Sequence, residues 1–384
     1  MQISKCKFQI EQDGERDAAR SQAGFSICNL LFAICNRLLI RCLSGGARRL
    51  ATLFLALFVG VAGCEQNAAR DAAPAAGQPA TNAAAASTEV VLALNWFPEA
   101  EHGGYYAALA HGYFADEGLK VTIRPGGPKV PVAADVAAGV AAFGVDNADK
   151  LLLWRAQEAD VVAVMSPIQN SPRCIMVHKQ SGLTRLEDLA GRKPFTLAIN
   201  AGQPFAEFLK KRVDLTDIQI VAYPGNVVQF LIEPNYGQQA YSFSEPFLAE
   251  QKESDPQCLM LSDLGFNTYT SVLLTRRELI EKQPDLVAKM TRASIRGWKK
   301  YLAEPTETNR LIHEQNPEMP LDVLEFGVKA LTPLCLPEGF AEDRLGEMTA
   351  ERWQTLVDQM LEIDSLKPGS VSAADSFTTQ FSEN

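Results

Sequence analysis

The chain has 384 residues, enough for two domains of ordinary size with a leader and a tether to spare. A composition 47% hydrophobic and 21% charged excludes a chain that is disordered for most of its length, because that much apolar side chain builds real cores. The net charge of −10 argues against a nucleic-acid partner: residues 1–63 hold 8 of the 36 Lys and Arg but only 4 of the 46 Asp and Glu, which leaves 28 against 42, a net −14, and no basic stripe for a phosphate backbone.

Residues 1–63 read as a leader. Arg48 and Arg49 precede an uncharged run from Leu50 to Ala62 that ends in Val61-Ala62-Gly63-Cys64. The run is too short for a stable bilayer span, which needs about 20 residues, whereas basic residues, a short apolar stretch and small residues before a cut mark a secretory signal. The ending resembles the lipobox of bacterial lipoproteins, which implies lipidation of Cys64 and an exported protein anchored to the cell membrane, facing the periplasm. Two or more acyl chains hold a protein on a membrane where one binds only reversibly; the alternative is a free cysteine after an ordinary signal. Residues 1 to about 45 exceed what a signal needs, so a later start of translation is expected, and since Met1 is the only Met before Cys64 that start would be non-AUG.

Residues 64–88 form a tether: Glu65 to Ser87 is rich in Ala, Pro, Asn and Gln and almost free of large apolar side chains. As a flexible coil it would hold the folded body roughly 25–30 Å from the lipid. Of the eight cysteines, Cys6, Cys28, Cys35 and Cys42 leave with the leader and Cys64 is the lipid site. Cys174, Cys258 and Cys335 remain without CxxC or His-Cys spacing, so no metal site is expected. One disulfide is open to them, with buried free thiols the favoured state.

From Glu89 onward, strand-like and helical patterns alternate, which predicts an α/β chain. The expected strands are Val90–Leu94, Leu119–Ile123, Ala142–Val145, Val161–Met165 and Cys174–Val177, with a helix over Tyr105–His111. A second alternation follows Leu183–Leu189: strands Phe195–Ile199, Gln219–Ala222, Ala240–Phe243 and Cys258–Leu261, with helices near Phe205–Arg212, Val227–Glu233 and Pro246–Lys252. Thr268–Leu274 is a further strand, and Gln283–Glu304, Thr306–Glu314, Leu321–Leu331 and Gly346–Leu361 are helices. The pattern predicts two α/β lobes joined by a two-stranded hinge, residues 89–178 plus 266–365 forming the first and 179–265 the second, with crossings near 179 and 265 and a C-terminal tail over 366–384.

In open α/β sheets ligands sit at the carboxyl ends of the strands, where helix N-termini point donors into the crevice. Polar residues fall at those points in both lobes: Asn95 and Trp96, Asp146 and Asn147, Asn200 with Gly202 and Gln203, Tyr223 with Gly225 and Asn226, and Ser244 with Glu245. Each has a plainer role open to it. Trp96 suits a packing aromatic, Asn147 and Asn226 helix caps, and Gly202-Gln203-Pro204 a turn into a helix; Glu245 suits an offset to the dipole of the helix begun by Pro246.

Asn95-Trp96-Phe97, His102-Gly103-Gly104-Tyr105-Tyr106-Ala107-Ala108, His111-Gly112-Tyr113-Phe114 and Glu117-Gly118-Leu119 resemble the opening of the type II periplasmic solute-binding proteins of the nitrate, sulfonate and thiamine-pyrimidine-precursor group. Ala240-Tyr241 and Ser244-Glu245-Pro246-Phe247 resemble that group's second-lobe segment. The resemblance spans residues 89–365 and implies a two-lobed receptor that hands a small molecule to the permease and ATPase of an ABC importer, works as a monomer, needs no cofactor and catalyses nothing. Within the group, the Asn-Trp opening and His102 look most like binding proteins for thiamine's pyrimidine precursors. For such a flat ring, Trp96 with Tyr105 or Tyr241 would supply stacking faces and Glu245 would accept from the exocyclic amine; His102, equally placed for a surface loop, completes the expected set. An anion (sulfonate, nitrate or bicarbonate) held by helix N-termini is the alternative ligand.

The resembled family also includes fungal enzymes that build the thiamine pyrimidine from pyridoxal phosphate and a sacrificed histidine. An ungapped placement through Gly144-Val145 puts Asp146 where those enzymes have their cofactor lysine and Lys150 where they have the histidine, and their cysteine-rich metal motif has no counterpart. No Gly-x-Ser-x-Gly elbow, phosphate loop or His-Glu-x-x-His helix is present. A sensor lobe without a transporter is the third possibility.

Overall fold

The structure, a computed structural model, describes residues 87–382 except Lys129. The leader, Cys64 and the tether up to residue 86 lie outside the described residues.

β1 (Thr88–Ala93) leads through a helical turn at Ala100–His102 into α1 (Gly103–Ala110) and α2 (Tyr113–Asp116). There follow β2 (Leu119–Arg124), α3 (Val132–Ala137), β3 (Phe143–Asp146), α4 (Ala148–Arg155) and β4 (Val161–Met165). A second run comprises β5 (Arg173–His178), β6 (Thr196–Ala198), α5 (Pro204–Arg212), β7 (Gln219–Val221), α6 (Val228–Ile232), β8 (Tyr236–Tyr241), α7 (Glu245–Glu250) and β9 (Pro256–Met260). The chain returns with β10 (Val272–Arg276) and continues as α8 (Arg277–Lys282), α9 (Pro284–Ala303), α10 (Thr306–Gln315), α11 (Leu321–Cys335) and α12 (Ala350–Glu362).

The strands form two five-stranded sheets, ordered β2-β1-β3-β10-β4 and β7-β6-β8-β5-β9. In the first, β1 runs parallel to β2 and β3 while β10 lies antiparallel between β3 and β4. The second repeats the plan: β6 is parallel to β7 and β8, and β5 is antiparallel to β8 and β9. Strands covered on both faces read as unbroken apolar runs; Val161-Val-Ala-Val-Met165 is buried throughout.

β5 departs from expectation. Cys174–Val177 belongs to the second sheet, where it pairs with β8 on one side and β9 on the other, so the first crossing runs through 166–172 and not near 179. A run this apolar signals a central strand without saying of which sheet. The returning segment lies beside the outgoing one. Ile168 and Thr270 form an antiparallel bridge, the Ser171 amide donates to Asn267 Oδ1 at 2.8 Å, and Asn267 Nδ2 donates to Asn170 Oδ1 at 2.9 Å. Arg352 on α12 fastens both: its Nη2 donates to the carbonyls of Gln169 at 2.5 Å and Asn267 at 3.1 Å, and its guanidinium lies 3.8 Å from the Tyr269 ring centre.

The expected strand Ala240–Phe243 is displaced too. β8 spans Tyr236–Tyr241, and its polar-looking Gln238 and Gln239 are buried while Phe243 lies beyond the strand. Of the expected tail 366–384, the segment around Ser376–Thr378 reaches the outer edge of the first sheet: Ala163 donates to Ser376 O and accepts from Thr378 N, each at 2.9 Å. Phe377 stacks on Trp353 and Phe381 is buried, so the free side of β4 is covered, which protects an edge strand from pairing elsewhere.

The Gly103-Gly104 pair answers a packing need. A Cβ at Gly103 would stand 2.0 Å from the Tyr301 ring, one at Gly104 2.1 Å from Trp298, and one at Gly297 2.1 Å from the Gly104 carbonyl oxygen. α1 and α9 therefore approach backbone to backbone, and Tyr105, Trp298 and Tyr301 fill the core around them.

Candidate functional site

The parallel strands β1, β2 and β3 end on one edge of the first sheet, and β6, β7 and β8 end on one edge of the second; antiparallel β10 and β5 begin on those same edges. The edges meet. Asn147, just past β3, donates through Nδ2 to the Tyr241 hydroxyl at the end of β8, at 2.8 Å. Arg173, which opens β5 opposite Tyr241, donates through Nη2 to the same hydroxyl at 2.8 Å. Its guanidinium also lies 4.4 Å from the Phe205 ring centre and 4.5 Å from that of Tyr241. A phenol oxygen that accepts two hydrogen bonds still has its own proton to give.

Glu245, at the start of α7, accepts from the Tyr241 amide and from the Tyr223 hydroxyl, both at 2.8 Å. Across the seam, the turn after β1 packs Asn95, Glu101 and His102 together: His102 Nε2 lies 2.8 Å from Asn95 Oδ1 and 3.2 Å from Glu101 Oε1. Both Glu101 and His102 are buried, and Glu101 Oε2 and His102 Nδ1 have no hydrogen-bond partner among the described residues. The Asp146 carboxylate accepts from the Asn147 amide at 2.9 Å and sits 3.9 Å from Lys150 Nζ.

The carboxyls of this seam share one field. Burial pushes Glu99 well above the usual carboxylate range, helped by the charges of Glu101 and Glu245. Burial likewise raises Glu245, against its bonds from the backbone and Tyr223 and the charge of Arg173. Asp146 is pushed up to about 6 by burial, with Lys150 and the Asn147 amide opposing and Asp149 and Glu101 adding. For Glu101, burial also raises, but the His102 and Asn95 hydrogen bonds and the charges of His102 and Lys150 outweigh it and the net direction is down. Glu99, Glu101, Asp146, Asp149 and Glu245 are thus linked pairwise, Glu99 to Glu101 and Glu245 and Asp146 to Asp149 and Glu101, with Arg173, Lys150 and His102 the cationic groups that act on them. Burial beside like charge is the setting in which carboxyls of functional sites are found.

Of the residues expected at a ligand, the seam brings together Asn95 with His102, and Asn147 with Tyr241 and Glu245. Trp96 stands beyond the carboxyl end of β1, 38% exposed and edge-on to Phe97, which is 48% exposed. Such neighbouring exposed aromatics are surplus to packing. Tyr105 differs from expectation: its ring is fully buried against Trp298 and its hydroxyl donates to the Ser271 carbonyl at 2.8 Å, so it is a core residue. Gly202 and Gly225 lie in exposed turns at φ +80 and +78, and Gly202 N is taken by Glu207 Oε1 at 2.9 Å. Gln203 precedes α5, its carbonyl accepting from the Ala206 amide at 2.9 Å. Asn226 Oδ1 accepts from the Val228 amide at 3.0 Å, a local turn ahead of α6. Arg173, Phe205, Glu99, Glu101 and Asp149 escaped the sequence reading; a lone arginine opening an apolar strand, and two carboxylates flanking Ala100 beside a histidine, were the signals.

Surface hollows occur elsewhere, one of about 400 Å3 among Glu117, Arg292, Arg296 and Phe381 and another of about 560 Å3 among His111, Lys300, Glu304 and Arg310. At the seam itself, side chains of the two lobes touch: besides Asn147–Tyr241, Phe247 on α7 stacks on Phe326 of α11 with ring centres 4.7 Å apart.

Residues 99–308, more than half of the chain, match the family described as NMT1/THI5 like, and Asn95 and Trp96 lie just ahead of the match. The chain belongs to that family. It is 27% identical over 326 residues to the riboflavin-binding protein RibY of Chloroflexus aurantiacus, covering 81% of this chain and 90% of that protein. It is 23% identical over 342 residues to the formylaminopyrimidine-binding protein of Halalkalibacterium halodurans, covering 86% and 98%. Among solved structures, the periplasmic aliphatic sulphonate binding protein SsuA of Escherichia coli superposes with a TM-score of 0.59 at 15% identity, over 75% of this chain and 91% of that one. The fold is that of the two-lobed periplasmic binding proteins, as the Asn-Trp and His-Gly-Gly segments implied.

Proposed function

We propose that this protein is an exported solute-binding protein of an ABC importer, gripping a small, flat nitrogen heteroaromatic, such as a thiamine pyrimidine precursor, between its two lobes. The observation that carries the ligand class is the carboxyl-rich make-up of the seam: Glu99, Glu101, Asp146, Asp149 and Glu245 against Arg173, Lys150 and His102. Nitrate or a sulfonate brought there would meet the carboxylate of Glu101, a seam carboxyl held below the usual range, and Arg173 is already engaged by Tyr241 and Phe205. An aminopyrimidine instead offers N–H donors to carboxylates and a ring to Trp96 or Tyr241, with the spare Tyr241 proton for a ring nitrogen. The ligands named for the riboflavin- and formylaminopyrimidine-binding relatives are both of this class.

The motion is closure about the paired crossings at 166–172 and 261–271. Contacts from both lobes shift the population toward the closed form, which an importer can recognise. Cys64, with its diacyl anchor, would keep the receptor at the membrane beside a permease and its ATPase. Synthase chemistry of the pyridoxal phosphate type does not suit the site: Asp146 and Lys150 stand where a cofactor lysine and a sacrificed histidine would be needed, and Asp146 is bound to its own Asn147 amide.

A thermal-shift screen of the purified chain against aminopyrimidines, riboflavin, alkanesulfonates and nitrate tests the reading. Stabilisation by a heteroaromatic alone is expected. Stabilisation by nitrate or a sulfonate, with none by any heteroaromatic, would replace it with the anion reading.

A further inference from the structure

Cys174 and Cys258 face each other on neighbouring antiparallel strands of the second sheet, Sγ to Sγ at 2.7 Å. Cys174 is paired in register with Met260, and Met176 with Cys258, so the two cysteines stand diagonally on one face of the sheet, within the cluster of Met176, Ala198, Phe230 and Ala240. β5 is internal to the sheet and β9 is its edge. Cys174 is fully buried while Cys258 is partly open, so one sulfur is reachable and the other is held against it. Cys335, buried on α11 among the first lobe's core residues, has no part in the pair.

We infer that Cys174 and Cys258 are a dithiol that closes to a disulfide, stapling the edge strand β9 to β5, the strand that carries Arg173 to the seam. The oxidant is a small disulfide. The Cys258 thiolate attacks one of its sulfurs and forms a mixed disulfide, expelling the first thiolate. The Cys174 thiolate then attacks Cys258 Sγ and expels the second. Two Cys thiol protons end on the two leaving thiolates, and two electrons pass to the small disulfide. Burial above all, with the neighbouring Cys258, pushes the Cys174 thiol well up, which leaves the first attack to the partly open Cys258. The closed loop is long, the two residues being 84 apart in sequence, which is where a cross-link constrains the unfolded chain most. An exported protein meets the oxidising conditions in which such a bond persists.

The test uses the purified chain without ligand, so its outcome is separate from that of the binding screen. After incubation with oxidised glutathione the protein is alkylated under denaturing conditions and digested without reduction. The expected result is a linked peptide containing Cys174 and Cys258, two hydrogens lighter than the separate reduced peptides, with Cys335 alkylated. Melting should fall by roughly 5 °C on reduction, and Cys258→Ser should melt like the reduced protein, indifferent to oxidant. Recovery of Cys174 and Cys258 as separately alkylated peptides, or of Cys258 arrested as its glutathione adduct, overturns the inference without recourse to any variant.

Discussion

Replacing Asp146 by asparagine removes a carboxylate that burial holds at about 6, against an ordinary 3.8, while keeping an oxygen for the Asn147 amide. A carboxyl whose proton is held more tightly in the fold than in the unfolded chain contributes its full share of stability below 3.8 and gives it up as the pH climbs through 6. At roughly 1.36 kcal/mol per pH unit, the distance between those values converts to a penalty of about 3 kcal/mol above pH 6. That figure already contains the attraction of Lys150, 3.9 Å away, because Lys150 is among the causes that set the value. The neutral isostere escapes the penalty, so Asp146→Asn should be the more stable protein at pH 8, by about 2–3 kcal/mol or about 5 °C in Tm for a chain of this size. The advantage should shrink as the pH falls through 6, be down to roughly 0.5 kcal/mol at pH 4, and vanish below 3.8, where the carboxyl is neutral in both the folded and unfolded chain. Differential scanning calorimetry of the two proteins at pH 8, 6 and 4 reads it directly. A variant that melts lower than the parent at pH 8, or whose advantage is the same at pH 4, would refute the assignment of that cost to Asp146.

Gly104→Ala should cost at least about 2–3 kcal/mol in chemical denaturation, since its Cβ would meet Trp298 at 2.1 Å and α1 cannot retreat from α9 without opening the core; wild-type stability would disprove the packing role. Arg352→Met should destabilise by about 2–4 kcal/mol, because the carbonyls of Gln169 and Asn267 lose their shared donor, and hydrogen exchange should rise at 166–172 and 261–271 before it rises in either sheet. Phe247→Ala, which removes a stacked pair across the lobes at 4.7 Å, should leave each lobe folded yet broaden the distribution of interlobe distances seen by small-angle scattering; an unchanged scattering curve would deny that this contact holds the lobes together.

The α/β alternation was legible because buried strands here are apolar runs, and Val161–Met165 is placed by sequence and structure at the same residues. What sequence could not give was strand ownership. Cys174–Val177 is as apolar as any first-lobe strand, and only its hydrogen bonds to β8 and β9 assign it to the second sheet. β8 hid for the opposite reason: Gln238 and Gln239 look solvated in one dimension, yet Gln239 Oε1 is bought inside by accepting from the Asn200 amide at 2.7 Å. At the site, Asn95, Asn147 and Glu245 are strand-tip positions legible along the chain, while Tyr241 is named through the family resemblance, as a stacking ring. Position along the chain does not say whether a ring faces the cleft or the core, so Tyr105 was misplaced. Arg173 was missed because it begins a strand, and only antiparallel pairing turns a beginning into a tip beside Tyr241.

Isothermal titration calorimetry of an aminopyrimidine into the wild-type chain and into Trp96→Ala and Glu245→Gln asks the central question in one series. Loss of an aromatic face or of a carboxylate acceptor should each weaken Kd by roughly tenfold or more, about 1.4 kcal/mol, while alkanesulfonate and nitrate give no heat above dilution. Equal affinity in all three proteins would place the ligand away from this seam, and heat from the anions alone would contradict the account of what the seam is charged to hold.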